Sequence, residues 1–172
     1  PFRGRFDVLP SGRNLYSNDP SLIPTKSAFE SGRKLAEIFQ KRYLQDNGEF
    51  AKKLLIDLWG SATLRTAGEE FSMALFLLGV KPLWKNGSEK VNGIEVITLA
   101  ELGRPRVDVT LRVSGLFRDI FPSLTQLYNQ SVIILSRRHE SPEDNPLIRS
   151  ESKSRVYGPR NGSYGLNMSS LV

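Results

Sequence analysis

The sequence contains no cysteine and a single histidine, His139. The lack of cysteine excludes disulfide bonds and thiolate metal ligands, and it is compatible with a reducing compartment. One histidine excludes a multi-histidine metal site, so a metal held by this chain alone would need carboxylate and carbonyl oxygens. No such cluster is evident in the sequence, and we expect no resident metal site. His139 follows two arginines in a loop-like stretch, where we expect an exposed side chain without a catalytic role.

Long apolar runs and an amino-terminal targeting signal are also lacking. No stretch approaches the roughly 20 apolar residues that a membrane-spanning helix requires. The first residues do not have the basic, apolar and small-residue regions of a signal peptide. We therefore expect a cytoplasmic protein without a membrane span.

The composition is that of a globular protein, with 39% hydrophobic and 24% charged residues among 172. The net charge of +6 raises the alternative of nucleic-acid binding. The basic residues are spread along the chain, however, and the aromatic residues lie within apolar periodic segments that predict core packing. An anionic small ligand or an acidic partner explains the charge equally well, and we expect no nucleic-acid partner.

Three regions differ in their pattern. Residues 1–24 are rich in turn formers and predict an ordered lead-in loop, residues 25–136 predict an α/β domain, and residues 137–172 predict a loop-rich segment that ends in a short docking element.

The first helix is predicted to begin at a capping box, Ser27 to Glu30, and to end at Asn47-Gly48. Its apolar stripe is Phe29, Leu35, Ile38, Phe39 and Tyr43.

Two strand-glycine-helix units indicate the fold class. "KLLIDLWG" reads as a buried strand, and Thr66 to Glu69 form a second capping box before an apolar helix that ends at Gly79. "VKPLW" and "IEVITLAELG" predict further extended segments. In "RVDVTLRVSG" the apolar residues alternate with polar ones, and after Gly115 the period becomes helical. The helical stripe consists of Phe121, Leu124, Tyr128, Val132 and Leu135. We predict an α/β fold with a mostly parallel sheet and flanking helices.

The candidate binding residues lie where these strands give way to helices, because ligands of parallel sheets bind beyond the carboxyl ends of the strands. Glycine permits close approach of a ligand to the backbone, and arginine forks match carboxylates. The two joins, "WGSATLRTAGEE" and "VSGLFRDIFP", therefore predict a pocket for a flat or anionic ligand. The arginines near them are Arg65, Arg112 and Arg118.

Each candidate also has a purely structural explanation. Thr66 and Glu69 are explained as a helix cap, Ser114-Gly115 as a tight turn, and Arg118-Asp119 as a solvated pair of little energetic value. Arg112 could simply cover a sheet edge. Neither join has a nucleotide-binding fingerprint, and no nucleophile-base pair is evident.

Several long blocks of the sequence are similar to the large subunit of tetrapyrrole metal chelatases. They are "LPSGRNLYSNDPSLIPT", "LWGSATLRTAGEE", "LLGVKPLW", "ELGRPRVDVTLRVSGLFRDIFP", "PEDNPL" and "SRVYGPRNGSYG". The family includes cobalt-inserting enzymes of cobalamin synthesis and magnesium-inserting enzymes of chlorophyll synthesis. Pro122 and the block Asp144 to Leu147 favour the cobalt type.

Two departures from the family indicate a fragment. Family members are much longer, and their His-Gly-x-x-Glu block is absent here. In addition, only a few residues separate "DNPLI" from "SRVYG", where the family has a helical insert; either the helix is lost or residues are missing. We therefore expect the isolated fragment to be inactive.

The resemblance implies a tetrapyrrole- and metal-binding subunit whose AAA+-type ATPase partners hydrolyse ATP, with cobalt or magnesium as the substrate metal. Metal insertion removes two pyrrole protons, and carboxylates are suitable acceptors. Glu69 and Asp119 are the candidate catalytic residues, and Arg65, Thr66, Ser114 and Arg118 are the candidate ligand-binding residues. The alternatives are magnesium insertion into protoporphyrin and a non-catalytic scaffold or docking domain.

Overall fold

The structure is a computed structural model that describes residues 19–159. Most of the lead-in loop predicted over residues 1–24, and the docking element predicted near the carboxyl terminus, lie outside the described residues. None of the helices within 19–159 is long and apolar enough to cross a bilayer.

The described chain alternates helices and strands, with one antiparallel hairpin between them. Short 3-10 helices occupy Pro20–Leu22 and Pro146–Ile148. The longer elements, in chain order, are α1 (Lys26–Asn47), β1 (Lys53–Leu58), α2 (Gly60–Thr66), α3 (Glu69–Leu78), β2 (Val80–Trp84), β3 (Val91–Val96), α4 (Leu99–Leu102), β4 (Asp108–Val113), α5 (Gly115–Ile120), α6 (Pro122–Ser136) and β5 (Val156–Tyr157).

The first helix begins two residues earlier than its predicted capping box. Thr25 is the N-cap, and its hydroxyl oxygen accepts from the backbone N–H of Ala28 at 3.1 Å. Ser27 lies inside the first turn, and the Glu30 carboxylate pairs with Arg33 instead of capping. The predicted end is confirmed, because Gly48 adopts a left-handed conformation with φ 73°.

The inward face of α1 also differs from the predicted stripe. Ile38 is 55% exposed, whereas the small residues Gly32 and Ala36 are buried against α3. A Cβ atom at position 32 would lie 2.6 Å from the Met73 nitrogen. The two helices approach this closely because glycine has no side chain, so the smallest residues define the contact.

A parallel three-stranded sheet of order β1-β4-β5 confirms the predicted fold class. The register pairs Lys53 with Asp108 and Leu58 with Val113. The alternation predicted for β4 is also confirmed, since its inward residues are buried. These inward residues are Val109, Leu111 and Val113, and Val107, directly before the strand, is buried as well.

β2 and β3 form a separate antiparallel two-stranded sheet instead of extending the parallel one. The chain between them is a short turn that includes Gly87 at φ 74°, and a turn of this length permits only antiparallel pairing. The segment predicted as one extended element, "IEVITLAELG", therefore divides into the end of β3 and the helix α4, which Thr98 caps.

Helices α3 and α6 cover one face of the parallel sheet. Phe71 of α3 and Tyr128 of α6 lie with ring centroids 5.9 Å apart, and the Tyr128 hydroxyl donates to the Val109 carbonyl at 2.6 Å. Burial raises the pKa of Tyr128 well above its usual value, so the phenol remains a donor. The predicted α6 stripe is fully buried, and α1 packs outside α3 as a third layer.

Candidate functional site

The two strand–helix joins lie side by side at one edge of the parallel sheet. The backbone N–H of Ser114 donates to the Leu58 carbonyl at 3.0 Å. The Ser114 hydroxyl oxygen accepts from the N–H of Gly60 at 3.1 Å and from that of Phe117 at 3.0 Å. Ser114 therefore caps α5 and ties the two joins together, as expected for neighbouring parallel strands.

The glycines at these joins serve packing between α2 and α5. Gly60 and Gly115 are the first residues of their helices, so Ser114-Gly115 is a helix start and the tight-turn interpretation is wrong. A Cβ atom on Gly60 would lie 2.8 Å from Leu116 Cγ and 2.9 Å from the Phe117 nitrogen. The space that glycine leaves at position 60 is thus occupied by α5.

Thr66 and Glu69 lie at the corner between α2 and α3. The Thr66 hydroxyl donates to the Ala62 carbonyl at 3.0 Å and accepts from the Glu69 N–H at 3.2 Å. The N-cap of α3 is Gly68, at φ 93°, so the predicted capping box with Thr66 as the N-cap is wrong. The hydrogen bond between Thr66 and the Glu69 N–H is present, but it joins the end of α2 to the first residue of α3. Glu69 is half-buried and Arg65 is exposed.

Arg118 and Asp119 lie near the end of α5, and both are half-buried. Within the described residues, Nε of Arg118 is buried and has no hydrogen-bond partner. A buried donor without a hydrogen-bond partner is costly, so Nε of Arg118 is a candidate contact for an acceptor atom of a ligand.

Arg112 has a different neighbour from the other candidate arginines. Its guanidinium binds the Asp57 carboxylate of the adjacent strand at 2.6 and 3.1 Å, and both side chains are exposed. The hydrogen bond from Arg112 lowers the pKa of Asp57. Arg112 therefore links β4 to β1 through this ion pair, which is consistent with a structural role for this residue.

The candidate residues form two groups separated by α2. Ser114, Arg118 and Asp119 belong to the join that contacts Gly60, whereas Thr66 and its neighbours lie at the other end of this seven-residue helix. The rise of an α-helix places Gly60 and Thr66 about 9 Å apart along its axis. The two strand ends are therefore in direct contact, whereas the group from Arg65 to Glu69 lies at the far end of α2 from this contact.

The described residues offer no cluster for a resident metal ion. Within 19–159 no group of three or more histidine, cysteine, aspartate or glutamate side chains could hold a metal. His139 is exposed. The carboxylates, hydroxyls and guanidinium groups at the two groups of candidate residues can transfer protons and bind anions.

Sequence reasoning missed an ion pair and a recess at the opposite, amino-terminal edge of the sheet. Arg155 Nε and Nη2 bind the Asp108 carboxylate at 2.6 and 3.2 Å, and both side chains are buried. A cavity of about 480 Å³ lies beside this pair, and Lys53, Leu55 and Thr110 contribute to its lining. No local signal identifies the pair, because Asp108 resembles an ordinary polar-face residue of its strand.

These features define an α/β protein with polar and charged candidate residues at the carboxyl edge of a short parallel sheet. The chain belongs to the CobN/Magnesium Chelatase family, whose sequence model matches residues 1–172. The resemblance noted in the sequence is thereby confirmed.

Relatives include subunits named for either metal. The chain is 42% identical over 192 residues to the aerobic cobaltochelatase subunit CobN of Sinorhizobium sp, covering 100% of the chain and 15% of the relative. It is 32% identical over 180 residues to the chloroplastic magnesium-chelatase subunit ChlH of Oryza sativa subsp. japonica, covering 96% of the chain and 13% of the relative. The chain thus spans about 15% of the length of the cobalt-type relative.

A solved structure has the same fold. The chain is similar to the catalytic subunit of cobaltochelatase from Mycobacterium tuberculosis, with a TM-score of 0.78 and 35% sequence identity. The match covers 85% of this chain and 14% of that subunit. The α/β arrangement described above is therefore also found as a small part of a much longer polypeptide.

Proposed function

We propose that this chain is a segment of the large subunit of an ATP-dependent chelatase that inserts cobalt into a corrin precursor in cobalamin biosynthesis. The observation that supports the cobalt type is the identity of 42% to a cobaltochelatase subunit, against 32% to a magnesium-chelatase subunit. Magnesium insertion into protoporphyrin is the alternative reaction. AAA+-type ATPase subunits are the proposed partners, and the proposed location is the cytoplasm, where ATP is supplied.

The proposed site is the carboxyl edge of the parallel sheet. We propose that residues 25–136 form the α/β domain that holds it, with residues 137–172 as a loop-rich segment and residues 1–24 as a lead-in. Insertion requires removal of two pyrrole protons, and the half-buried carboxylates Glu69 and Asp119 are the proposed acceptors or metal guides.

The proposed ligand contacts of Arg118, Ser114 and Thr66 follow from the hydrogen-bonding capacity that these side chains retain. Arg118 has a buried Nε without a partner in the described residues, which suits an acidic or amide side chain of the macrocycle. Ser114 accepts two backbone N–H groups, so its own O–H remains available to donate. Thr66 uses its O–H within α2 and contributes mainly an acceptor lone pair. Arg65 is exposed, and its positive charge suits an anionic group of the ligand.

The catalytic proposal is tested in a full-length subunit that contains this segment, with its ATPase partners. Glu69→Gln and Asp119→Asn should each lower the rate of metal insertion by about 10²-fold or more if the carboxylate moves a proton. Glu89→Gln, at an exposed position between β2 and β3, is the matched control and should leave the rate unchanged. Parallel assays with cobalt and magnesium identify the metal. Unchanged insertion in both site variants would contradict the proposed roles.

The binding proposal is tested by titrating the full-length subunit with a metal-free corrinoid precursor while following ligand absorbance. Arg118→Ala should weaken binding by about 10- to 100-fold, because hydrogen bonds to charged groups contribute about 1.5–3 kcal/mol. Arg42→Ala, exposed on α1, is the control. Equal affinity in both variants would favour the second candidate function, a scaffold or docking domain.

That second candidate has its own supporting observation. The chain corresponds to only about 15% of the cobalt-type relative's length. A folded Arg118→Ala subunit that binds and inserts normally would support this role.

A further inference from the structure

The parallel sheet is covered unequally on its two faces. On the inner face, α3 and α6 bury Ile56, Leu58 and the apolar residues of β4. On the outer face, every second side chain of β1 is exposed, and so is the residue that follows the strand. They are Lys53, Leu55, Asp57 and Trp59.

The outer face continues across the neighbouring strands in register. Leu55 lies opposite Thr110, and Asp57 lies opposite Arg112. Arg112 in turn lies opposite Tyr157 of β5. Since paired residues point to the same side of a sheet, these side chains form one continuous surface.

Large apolar side chains make up much of this surface. Leu55 is 52% exposed, Trp59 62% and Tyr157 50%. They surround the Asp57–Arg112 pair, in which each charge satisfies the other. We refer to these five residues, together with Lys53 and Thr110, as the outer face.

Arg155 covers this face only at its amino-terminal end, where it binds Asp108. An all-parallel sheet with one face that no helix covers is unusual. Because the connections between parallel strands place helices on the sheet, such sheets are covered on both sides in nearly all known cases. The described residues supply helices to the inner face only. The outer face is therefore typical of a surface that packs against another part of a protein, and not of one that faces solvent.

We propose that the outer face binds a helical layer contributed by another part of the same large subunit, outside the described residues 19–159. This inference rests on the proposal that the chain is a segment of such a subunit. Its support is the length of polypeptide beyond the segment, since the chain matches only 14% of the solved cobaltochelatase subunit with the same fold.

The chemistry of the outer face specifies the occupant. Leu55, Trp59 and Tyr157 require apolar side chains opposite them, and a helix supplies these without unpaired backbone groups. The internally neutral Asp57–Arg112 pair requires no net charge from the occupant. The cavity of about 480 Å³ beside Leu55 and Thr110 would receive a projecting side chain of that helix.

A second copy of the chain fits this face less well. Each copy has a net charge of +6, so two copies repel each other.

The test is hydroxyl-radical footprinting of the isolated full-length subunit, without ATPase partners. Leu55 and Ile38 are a matched pair, since they are 52% and 55% exposed in the segment. After correction for intrinsic reactivity, Leu55 and Trp59 should be modified several-fold more slowly than Ile38. Modification of Leu55 at the rate of Ile38 would overturn the proposal.

A second measurement separates an internal contact from self-association. Protection of Trp59 that is independent of protein concentration, at a monomeric mass, supports the proposal. Protection that disappears on dilution as a dimer dissociates assigns the face to a second copy and overturns it. Neither measurement uses metal insertion, so an active subunit with an exposed outer face refutes this inference alone. An inactive subunit with a protected face refutes the proposed chelatase function alone.

A charge substitution provides an independent readout in the same full-length subunit. Leu55→Asp should accelerate hydrogen exchange several-fold in the peptide that contains β1, because it places a charge in a covered contact. Ile38→Asp should leave exchange in its own peptide unchanged. Equal, small effects at the two positions would contradict a covered outer face.

Discussion

Arg106 and Glu140 form a buried, bidentate ion pair. Nε and Nη2 of Arg106 lie 2.9 and 3.0 Å from the two carboxylate oxygens, and the side chains are 0% and 8% exposed. The remaining N–H groups of the guanidinium donate to the carbonyl oxygens of Leu78, Gly79 and Ile97, with N···O distances of 3.2, 3.0 and 2.8 Å. The pair therefore joins the end of α3, the hairpin, the start of β4 and the loop after α6.

Removing the carboxylate of this pair should strongly destabilise the chain. Glu140→Ala leaves the Arg106 charge buried without a counter-ion, at a cost of about 3–5 kcal/mol. Urea denaturation monitored by tryptophan fluorescence measures the change. The control is Glu143→Ala, which breaks an exposed pair with Arg149 and should cost less than about 1 kcal/mol. Equal effects of the two substitutions would show that the buried pair contributes no more than a surface pair.

The same glutamate predicts acid sensitivity. Burial raises the pKa of Glu140, but hydrogen bonds from Arg106 and Arg138 and the charge of Arg106 outweigh it and lower the pKa to about 2. A depressed folded-state pKa adds stability above the unfolded value of about 4.3, and this stability is lost as pH falls toward about 2. At about 1.4 kcal/mol per pKa unit, the expected loss over this window is on the order of 3 kcal/mol. Glu140→Gln should flatten the decline of the unfolding free energy below pH 5; an unchanged slope would contradict it.

Gly32 should tolerate no side chain. A Cβ atom there would lie 2.6 Å from the Met73 nitrogen and 2.7 Å from the Glu69 carbonyl oxygen, and these backbone atoms cannot move aside readily. Overpacking of this kind costs about 1–3 kcal/mol, partly offset by the gain of about 1 kcal/mol in helix propensity. Gly32→Ala should therefore lower the urea midpoint. Gly93→Ala is the control, since its Cβ would meet nothing within 4 Å. A raised midpoint for Gly32→Ala would refute the close helix contact.

Ser114 should contribute to stability as well as to the proposed site. Its hydroxyl oxygen accepts from two backbone N–H groups, and Ser114→Ala removes both bonds at a cost of about 1–2 kcal/mol. Thermal unfolding compared with Ser123→Ala, at an exposed position of α6, measures the difference. If the two variants unfold at the same temperature, the Ser114 hydroxyl does not stabilise the contact between the two joins.

The core predicted from periodicity should behave as a core. Leu75 and Leu111 are 0% and 1% exposed, and truncation of either to alanine should cost about 2–5 kcal/mol. Ile38→Ala, on the exposed side of α1, should change the unfolding free energy by less than about 1 kcal/mol. A denaturation midpoint unchanged in Leu111→Ala would place that side chain outside the core.

Local patterns in the sequence predicted those parts of the structure that depend on near neighbours. The alternation in β4 and the α6 stripe were read correctly because a strand or helix buries one face with a fixed period. Gly48 and Gly79 marked helix ends since both adopt left-handed conformations. The proximity of the two strand–helix joins also followed, because parallel neighbours bring their carboxyl ends to one edge.

Other features depended on contacts that no local pattern specifies. Thr25 and Ser27 are both acceptable N-caps, and the choice of Thr25 coincides with a hydrogen bond from its N–H to the distant Ala67 carbonyl at 3.3 Å. Ile38 fitted the apolar stripe of α1, yet the small residues at positions 32 and 36 face α3 because they permit the closer approach.

The sequence by itself determined the α/β class, the family and the elements that hold the candidate residues. Only the tertiary structure decided that Arg106 meets Glu140 and that Arg155 meets Asp108, because each pair joins residues more than thirty positions apart. Only the tertiary structure, likewise, shows that no helix within residues 19–159 covers Leu55, Trp59 and Tyr157 on the outer face. Burial depends on how the layers pack and cannot be read from one segment.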